Sequence, residues 1–316
     1  MSREAEGKAH GKVILIGEHS VVYDKPAIAL PFPVVNVVAT VREGIENDNK
    51  TSICVTSRYF SGELQQAPVE LSGFKASVEE SLQLLHATDT NLSIQIDSSI
   101  PSGRGLGSSA AVAHAVVKGI FHYFDAPLPH DVQMHLVQIA ETHAHGNPSG
   151  IDMEATSNEA PIWFQKGKKT TALSFKKPLH IVIADSGQFG DTRTAVESIR
   201  HMYRNQPTSA RASIDLLGAY THACKDALLE GNSTKVGELL SLAQTELVTL
   251  GVSDTKLDHL ITIARANGAL GAKLTGGGRG GCVLCLAEDE QHTQKLASAL
   301  EKAGACQTWT SRISHP

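Results

Sequence analysis

The sequence predicts a two-domain α+β fold. About the first hundred of its 316 residues are dominated by short apolar or alternating segments, which are typical of strands. In the second half, strand-like segments are separated by helical ones, which favours helices packed on a sheet. A glycine loop comes only after residue 100, whereas a doubly wound nucleotide-binding fold has it after the first strand. We expect an ATP-binding N-terminal domain over residues 1–178 and a C-terminal domain over residues 179–316.

The composition is that of an ordinary soluble protein without a polyanionic partner. The net charge is −5, and 41% of the residues are hydrophobic. We therefore expect no nucleic-acid partner. No apolar stretch approaches the about 20 residues that a bilayer requires, and the charged N-terminus does not resemble a signal peptide. The five cysteines are odd in number and scattered, which predicts buried, reduced thiols in a cytoplasmic protein that has no membrane partner.

The first strand carries charged residues at both ends. Val13–Ile16 is a continuous apolar run and predicts a buried strand. Lys12 precedes this run, and Glu18 and His19 follow it. Burying charged groups without partners is costly, so these residues indicate a functional site. The alternative is a structural salt bridge between Lys12 and Glu18 at the ends of the strand.

A glycine-rich loop between a strand and a helix is the most informative segment. The preceding segment, Leu92–Asp97, alternates like a strand, and Ala110–Phe124 has helical periodicity. Backbone N–H groups at such a helix start bind phosphate, and the alternative is that the glycines only serve a tight turn. The first glycine loop comprises Pro101, Ser102, Gly103, Arg104, Gly105, Leu106, Gly107, Ser108, Ser109, Ala110 and Ala111.

Other polar residues stand at the ends of later elements. Glu141 lies late in a predicted helix over His130–His145, and Asp152 follows a Pro-Ser-Gly turn. Asp191 or Thr192 is expected to cap the helix that follows strand Leu179–Ala184. A second glycine loop, Gly276–Gly281, joins two more predicted strands. It is expected either to shape the site or to contact the ligand directly.

These residue types together satisfy the requirements of phosphoryl transfer. Such a reaction needs amides for the phosphates, oxygen ligands for Mg²⁺, a cation and a base. Ser109 and Glu141 could hold the metal, Asp152 could be the base, and Lys12 could stabilise the transferring group. The alternatives are that Asp152 caps a following helix and that Glu141 is an ordinary surface acid.

Three separated segments resemble the signature motifs of the GHMP kinases, the family of galactokinase, homoserine kinase, mevalonate kinase and phosphomevalonate kinase. They are Gly11–Val22, Pro101–Ala111 and Lys273–Cys282, in the order and spread that the family shows. The resemblance implies a ribosomal-S5-domain-2-like N-terminal domain and a ferredoxin-like C-terminal domain. One departure is His10, because members commonly have Ala-Pro-Gly-Lys where this chain has Ala-His-Gly-Lys.

Within the family, the chain is most similar to the mevalonate kinase branch. The segment Glu141–Asp152 is similar to the helix and turn of that branch, and Ser20-Val21-Val22 differs from the Asp-Tyr pair of galactokinases. The resemblance implies phosphorylation of (R)-mevalonate by Mg²⁺-ATP. The alternatives are another acceptor, namely phosphomevalonate, homoserine or a sugar, or a catalytically silent sensor that only binds a ligand.

The resemblance also implies a role for each motif residue. Asp152 would be the base and Lys12 its electrostatic partner, while Ser109 and Glu141 would hold Mg²⁺. The segment Gly103–Ser108 would wrap the ATP phosphates. Glu18 and His19 would face the acceptor, and Thr192, or alternatively Thr194, would lie near the reacting hydroxyl. The expected partners are ATP and mevalonate, and a homodimer is expected without a sequence feature that specifies it.

Overall fold

The computed structural model describes residues 3–44, 52–145 and 148–314, and two compact units emerge from its packing. Unit 1 comprises Met1–Gly11, Val35–Pro101 and Gly107–Ser157, and unit 2 comprises Lys12–Val34, Ser102–Leu106 and Asn158–Pro316. The boundary expected after residue 178 stays a prediction, because this division follows packing and places segments from both sides of residue 178 in unit 2.

Strands and helices alternate along the chain much as the sequence predicts. The strands are β1 (Glu4–Ile16), β2 (Ala27–Glu43), β3 (Ile53–Thr56), β4 (Ser61–Glu63), β5 (Leu92–Ser98), β6 (Ile162–Phe164), β7 (Thr171–Ala172), β8 (Leu179–Asp185), β9 (Gly271–Thr275), β10 (Cys282–Ala287) and β11 (Gln307–Ile313). The helices are α1 (Ser72–Leu84), α2 (Ser108–Tyr123), α3 (His130–His145), α4 (Ile151–Ser157), α5 (Thr192–Asn205), α6 (Pro207–Glu230), α7 (Ser233–Thr249), α8 (Thr255–Ala266) and α9 (Glu290–Lys302).

One long strand replaces two predicted ones near the N-terminus. The sequence predicts separate strands over residues 26–32 and 34–42, with a break at Pro33. The structure has the single strand β2, because the φ angle that proline fixes is compatible with extended backbone. The turn expected over residues 43–50 lies largely outside the described residues.

Unit 1 packs helices beside strands. Strand β5 pairs antiparallel with β2 and parallel with β3, and β3 pairs antiparallel with β4. Helix α2 packs against α1, α3 and α4. One hydrophobic cluster joins α2, α3 and α4, and it consists of Ala110, Ala113, Val137, Ala140 and Met153. This cluster fixes the helices that carry the candidate residues of unit 1.

Unit 2 contains a four-stranded antiparallel sheet in the order β11-β8-β10-β9. Every residue of β9 and β10 is buried, including Lys273 in the middle of β9. Helices α7, α8 and α9 pack against strands of this sheet. The chain order of one strand, helices, two strands, a helix and a last strand is that of a ferredoxin-like fold. The predicted hairpin is confirmed, because β6 pairs antiparallel with β7.

The cysteines follow the prediction in part. Cys224, Cys282 and Cys285 are buried free thiols, and burial raises the pKa of Cys285 to about 12. The prediction is wrong for Cys54 and Cys306, which are exposed free thiols. Cys54 lies on the outward face of β3, where exposed and buried residues alternate. Among the described residues, every helix is too short or too polar to cross a membrane.

Candidate active site

Three candidate residues of unit 1 lie at the ends of three helices that pack together. Ser109 is the second residue of α2 and is exposed. Glu141 lies in the last part of α3 and is only 1% exposed. Asp152 is the second residue of α4 and is half-buried. The hydrophobic cluster includes the sequence neighbour of each, namely Ala110, Ala140 and Met153, so apolar packing holds all three positions.

The start of α2 has the features of an anion site. Gly107 occupies the N-cap position in the left-handed conformation, with φ 76°, and it has no side chain with which to cap the helix. The first N–H groups of a helix lack partners within the helix, and the helix dipole favours negative charge there. The helix begins at Ser108, so Ser108 and Ser109 both belong to this first turn.

Two structural alternatives for the acids do not hold. Glu141 is not an ordinary surface acid, because its side chain is almost fully buried. Asp152 does not precede its helix as an N-cap, since α4 begins one residue earlier at Ile151. Its position in the first turn is one where the helix dipole stabilises a carboxylate.

In unit 2, residues 102–106 of the first glycine loop run beside the strand that carries Lys12. The backbone N–H of Lys12 donates to the carbonyl of Leu106 over 3.0 Å. Gly105 has φ +76°, and a Cβ at this residue would lie 3.0 Å from the carbonyl oxygen of Thr275. Glycine is therefore required both by the turn and by the close approach of strand β9. The tight-turn alternative thus holds for this residue alongside any role in binding.

The side chain of Arg104 holds the loop in place. Its Nε lies 2.8 Å from a carboxylate oxygen of Asp185, at the end of β8, and its side chain is only 13% exposed. The guanidinium also lies over the ring of Phe189, with Cζ 4.8 Å from the ring centroid. These contacts fix the orientation of the Arg104 guanidinium, although its buried Nη1 has no hydrogen-bond partner among the described residues. That the loop offers its backbone N–H groups to a phosphate stays a prediction.

The second glycine loop packs directly against the first. A Cβ at Gly276 would lie 2.8 Å from the Cα of Gly105. Gly190, between β8 and α5, also contacts the first loop, because its N–H donates to the carbonyl of Gly103 over 2.8 Å. The hydroxyl of Thr275 bonds to both backbone groups of Ile14, which anchors the second loop to β1. The second loop therefore packs against the first, while both shaping of the site and direct ligand contact stay predictions.

Thr192 packs on this second loop at the start of α5. A Cβ at Gly277 would lie 2.1 Å from the Oγ1 of Thr192, so the two residues are already in close contact. The helix cap is Asp191, whose carboxylate accepts from the N–H of Thr194 over 2.9 Å. Of the two caps that the sequence allows, the structure selects Asp191 and leaves Thr192 as the first helical residue.

A buried ion pair links the first and third motifs within unit 2. The carboxylate of Glu18 accepts a hydrogen bond from Nζ of Lys273, in the middle of β9, and both side chains are fully buried. Burial raises the pKa of Glu18, and the positive charges of Lys273 and Lys12 act in the opposite direction. Burial also lowers the pKa of Lys273, against the effect of Glu18. Lys12 itself is only 1% exposed, so two lysines and one carboxylate share this interior.

His19 is held by the second glycine loop. Its Nε2 lies 2.9 Å from the carbonyl oxygen of Gly277, so this nitrogen donates the hydrogen bond. Burial lowers the pKa of His19 to about 4, which keeps the ring neutral near pH 7. Its backbone has φ 59°, a strained conformation of the kind that clusters at functional sites. That Glu18 and His19 face an acceptor stays a prediction.

Lys273 lies inside the third motif, but its residue type and position there predict no role for it. The available signal was a single cation in the otherwise apolar run Gly271–Leu274, since a buried cation requires a partner. The partner itself lies 255 residues away in the sequence, and no periodicity could identify it.

The donor set fits Mg²⁺. Among the described residues, no group of three or more His, Cys, Asp and Glu side chains could hold a metal ion. Mg²⁺ is usually bound through one or two carboxylates together with substrate phosphates and water, and it prefers hard oxygen ligands. A serine hydroxyl and a carboxylate, as in Ser109 and Glu141, match that chemistry.

Comparisons with known proteins agree with the motifs. The model of the GHMP kinases N-terminal domain matches residues 74–157, and that of the GHMP kinases C-terminal domain matches residues 224–306. A mevalonate kinase of Pyrococcus horikoshii is 34% identical over 94% of this chain and 92% of its own length. The L. major mevalonate kinase, solved with R-mevalonate, has a similar fold, with a TM-score of 0.82, 22% identity, and coverage of 98% of this chain and 96% of that one. For the mevalonate kinase of Staphylococcus aureus MRSA252 the TM-score is 0.71, at 30% identity and 99% coverage of both chains.

The chain therefore belongs to the GHMP kinase family, and its two-domain α+β architecture is the one that the family predicts. The similar proteins described above are mevalonate kinases, and the match extends over nearly the whole of both chains.

Proposed function

We propose that this protein catalyses the phosphorylation of the 5-hydroxyl of (R)-mevalonate by Mg²⁺-ATP, the reaction of a mevalonate kinase. The observation that carries the proposal is the 34% identity to a mevalonate kinase over 94% of the chain. The candidate residues Lys12, Ser109, Glu141 and Asp152 support it, because they are of the types that supply the Mg²⁺ ligands, the cation and the base of phosphoryl transfer.

Nucleotide binding is proposed for the first glycine loop and the start of α2. Backbone amides of residues 103–108 would hold the ATP phosphates, and the dipole of α2 would favour their negative charge. Ser109 and Glu141 would hold Mg²⁺, which would offset the negative charge of the ATP phosphates. The burial of Glu141 would keep its carboxylate fixed in orientation.

Transfer itself is proposed to use Asp152 as the base. Its carboxylate accepts the proton of the 5-hydroxyl as that oxygen bonds to the γ-phosphorus. The bond between the γ-phosphorus and the bridging oxygen of ADP breaks, which gives 5-phosphomevalonate, ADP and one proton. Lys12 offsets the negative charge that develops on the transferred group. Glu18, His19 and Thr192 would bind the acceptor alongside the second glycine loop.

A panel of acceptors with Mg²⁺-ATP tests the proposal, with ADP release as the readout. The acceptors are (R)-mevalonate, 5-phosphomevalonate, homoserine and galactose. We expect turnover with mevalonate and at least about tenfold lower kcat/KM with the others, which corresponds to about 1.4 kcal/mol. Preferred turnover of another acceptor would replace the substrate assignment. Ligand binding without any ADP release would instead indicate a sensor.

The variant Asp152→Asn tests the role of Asp152 as the base, because it keeps the size of the side chain and removes its charge. It should keep ATP binding and lose most of kcat, because the amide cannot accept the proton. A kcat near that of the unsubstituted protein would contradict the role of Asp152 as base.

We also propose that the protein works in the cytoplasm, since a reducing compartment would preserve the exposed free thiols of Cys54 and Cys306. A homodimer stays a prediction, which light scattering of the purified protein tests.

A further inference from the structure

A buried chain of hydrogen bonds crosses the core of unit 1 from α3 through α2 to α4. The ring of His114, in α2, is 0% exposed. Its Nε2 lies 3.0 Å from the carbonyl oxygen of Met153, and its Nδ1 lies 2.7 Å from Nε2 of Gln133 in α3. We call these three residues the His114 network. It reaches α4 at the residue that directly follows Asp152.

The partners fix the protonation state of the ring. A carbonyl oxygen can only accept, so Nε2 of His114 carries the hydrogen and donates to Met153. Nδ1 then has a lone pair, which accepts from the side-chain amide of Gln133. Burial lowers the pKa of His114 to about 4, so near pH 7 the ring is neutral and keeps this single tautomer.

Packing alone does not explain an imidazole at this position. The neighbouring cluster of Ala110, Ala113, Val137, Ala140 and Met153 is wholly apolar. Burying a polar ring there costs its hydration, and each hydrogen bond returns only about 1 kcal/mol net. An apolar side chain would fill the same volume at lower cost. The imidazole makes directional contacts instead, because its two nitrogens hydrogen-bond to one residue of α3 and one residue of α4.

Helix α4 depends on contacts of this kind for its orientation. It has only seven residues, Ile151–Ser157, and isolated helices of that length are not stable in water. Its orientation must therefore come from tertiary contacts. The contact with His114 acts on the backbone of Met153, one residue from the proposed base, so a rotation of α4 about its axis would move both residues together.

We propose that His114 and Gln133 are positioning residues, which fix the rotation of α4 and thereby aim the Asp152 carboxylate at the acceptor hydroxyl. This inference rests on the proposed function for the role of Asp152. Loss of either hydrogen bond frees α4 to shift, and a displacement of about 1 Å at a reacting group costs up to about 100-fold in rate.

Kinetics of four variants test the proposal. His114→Phe keeps a ring without either hydrogen bond, and Gln133→Leu removes only the outer bond. Both should lower kcat about 10- to 100-fold, with the KM for ATP changed less than about twofold. His114→Gln keeps an amide donor for Met153 and should recover most of kcat. The control Val137→Ala weakens the same cluster without touching the network, and it should lower the melting temperature while keeping kcat.

The proposal is overturned if His114→Phe and Gln133→Leu keep kcat. It is also overturned if Val137→Ala loses as much kcat as they do at a similar loss of stability, because the effect would then be general packing. Should His114→Phe fail to fold, the kinetics of Gln133→Leu and the ring ¹⁵N shifts of the unsubstituted protein still test the proposal.

A second measurement does not depend on activity. The ¹⁵N shifts of the His114 ring should show a protonated Nε2 and an unprotonated Nδ1, and amides of α4 should exchange faster with solvent in Gln133→Leu than in Val137→Ala. The opposite tautomer, or equal exchange in the two variants, would overturn the network. If the unsubstituted protein does not phosphorylate mevalonate, the proposed function fails, while these two readouts still test the network.

Discussion

Replacing Lys273 by methionine would leave a buried carboxylate without its main counter-charge. Lys273→Met keeps the length of the side chain in β9 but removes the cation that pairs with Glu18. Removing one partner of a buried ion pair costs about 3–5 kcal/mol, because the other charge stays buried and uncompensated. Lys12 supplies a second positive charge that acts on Glu18, so we expect the lower end, about 3 kcal/mol.

This loss should be visible in thermal unfolding. For a folding unit of roughly 150–250 residues, which includes the size of unit 2, each kcal/mol shifts the melting temperature by about 2–4 °C. Lys273→Met should therefore melt about 6–12 °C lower. The control is Lys235→Met, which breaks an exposed ion pair with Glu238 and should cost less than about 1 kcal/mol.

A double-mutant cycle separates the ion pair from other effects. Glu18→Gln combined with Lys273→Met removes both charges, and it should be less destabilising than the sum of the single variants by about 1–3 kcal/mol. The deficit of Lys273→Met should also shrink as the pH falls below 7. Its folded state gains a proton on Glu18, whose pKa rises further without Lys273, and a neutral carboxyl is less costly to bury. Additive effects, or a stability equal to that of the Lys235 control, would refute the importance of the pair.

Three further outcomes follow from the geometry. Gly277→Ala places a Cβ 2.1 Å from Oγ1 of Thr192 and should cost about 1–3 kcal/mol in urea unfolding, and unchanged stability would show that this contact relaxes freely. The pKa of His19 is lowered to about 4 in the folded state, against 6.5 in the unfolded state, so only the unfolded state takes up this proton as the pH falls from 6.5 towards 4. Up to about 3 kcal/mol of folding stability is lost over that pH range. His19→Asn should therefore make the free energy of unfolding less dependent on pH between 6.5 and 4. Glu141→Gln should raise the Mg²⁺ concentration for half-maximal activity at least about tenfold, because loss of even an outer-shell partner weakens metal binding by that factor. An unchanged magnesium titration would contradict the role of Glu141 as a ligand.

Local features of the chain were sufficient to predict most of the elements. Helix α3 and strand β10 have the predicted bounds, because apolar periodicity and terminal signals agree there. The glycine loop was identified from three glycines between a strand and a helix, and its torsion angles require them. The prediction of two strands in place of β2 is wrong, because one extended strand continues through Pro33.

Contacts between distant segments could not be predicted in this way. The pairing of Glu18 with Lys273 and the bond from His19 to Gly277 each join residues more than 250 positions apart. Charge alone identified Glu18 and His19 as candidates, but which groups they contact depends on how β1 and β9 come together. The link from His114 to Met153 was missed because buried imidazoles have no periodic signature in a sequence.

The identity of the product tests the central claim most directly. The protein is incubated with Mg²⁺-ATP and (R)-mevalonate, and the product is examined by ³¹P NMR. Phosphorylation of the primary 5-hydroxyl predicts one phosphomonoester signal, split into a triplet by the two protons on C5, together with equimolar ADP. No phosphomonoester, or an unsplit signal from the tertiary 3-hydroxyl, would contradict the account.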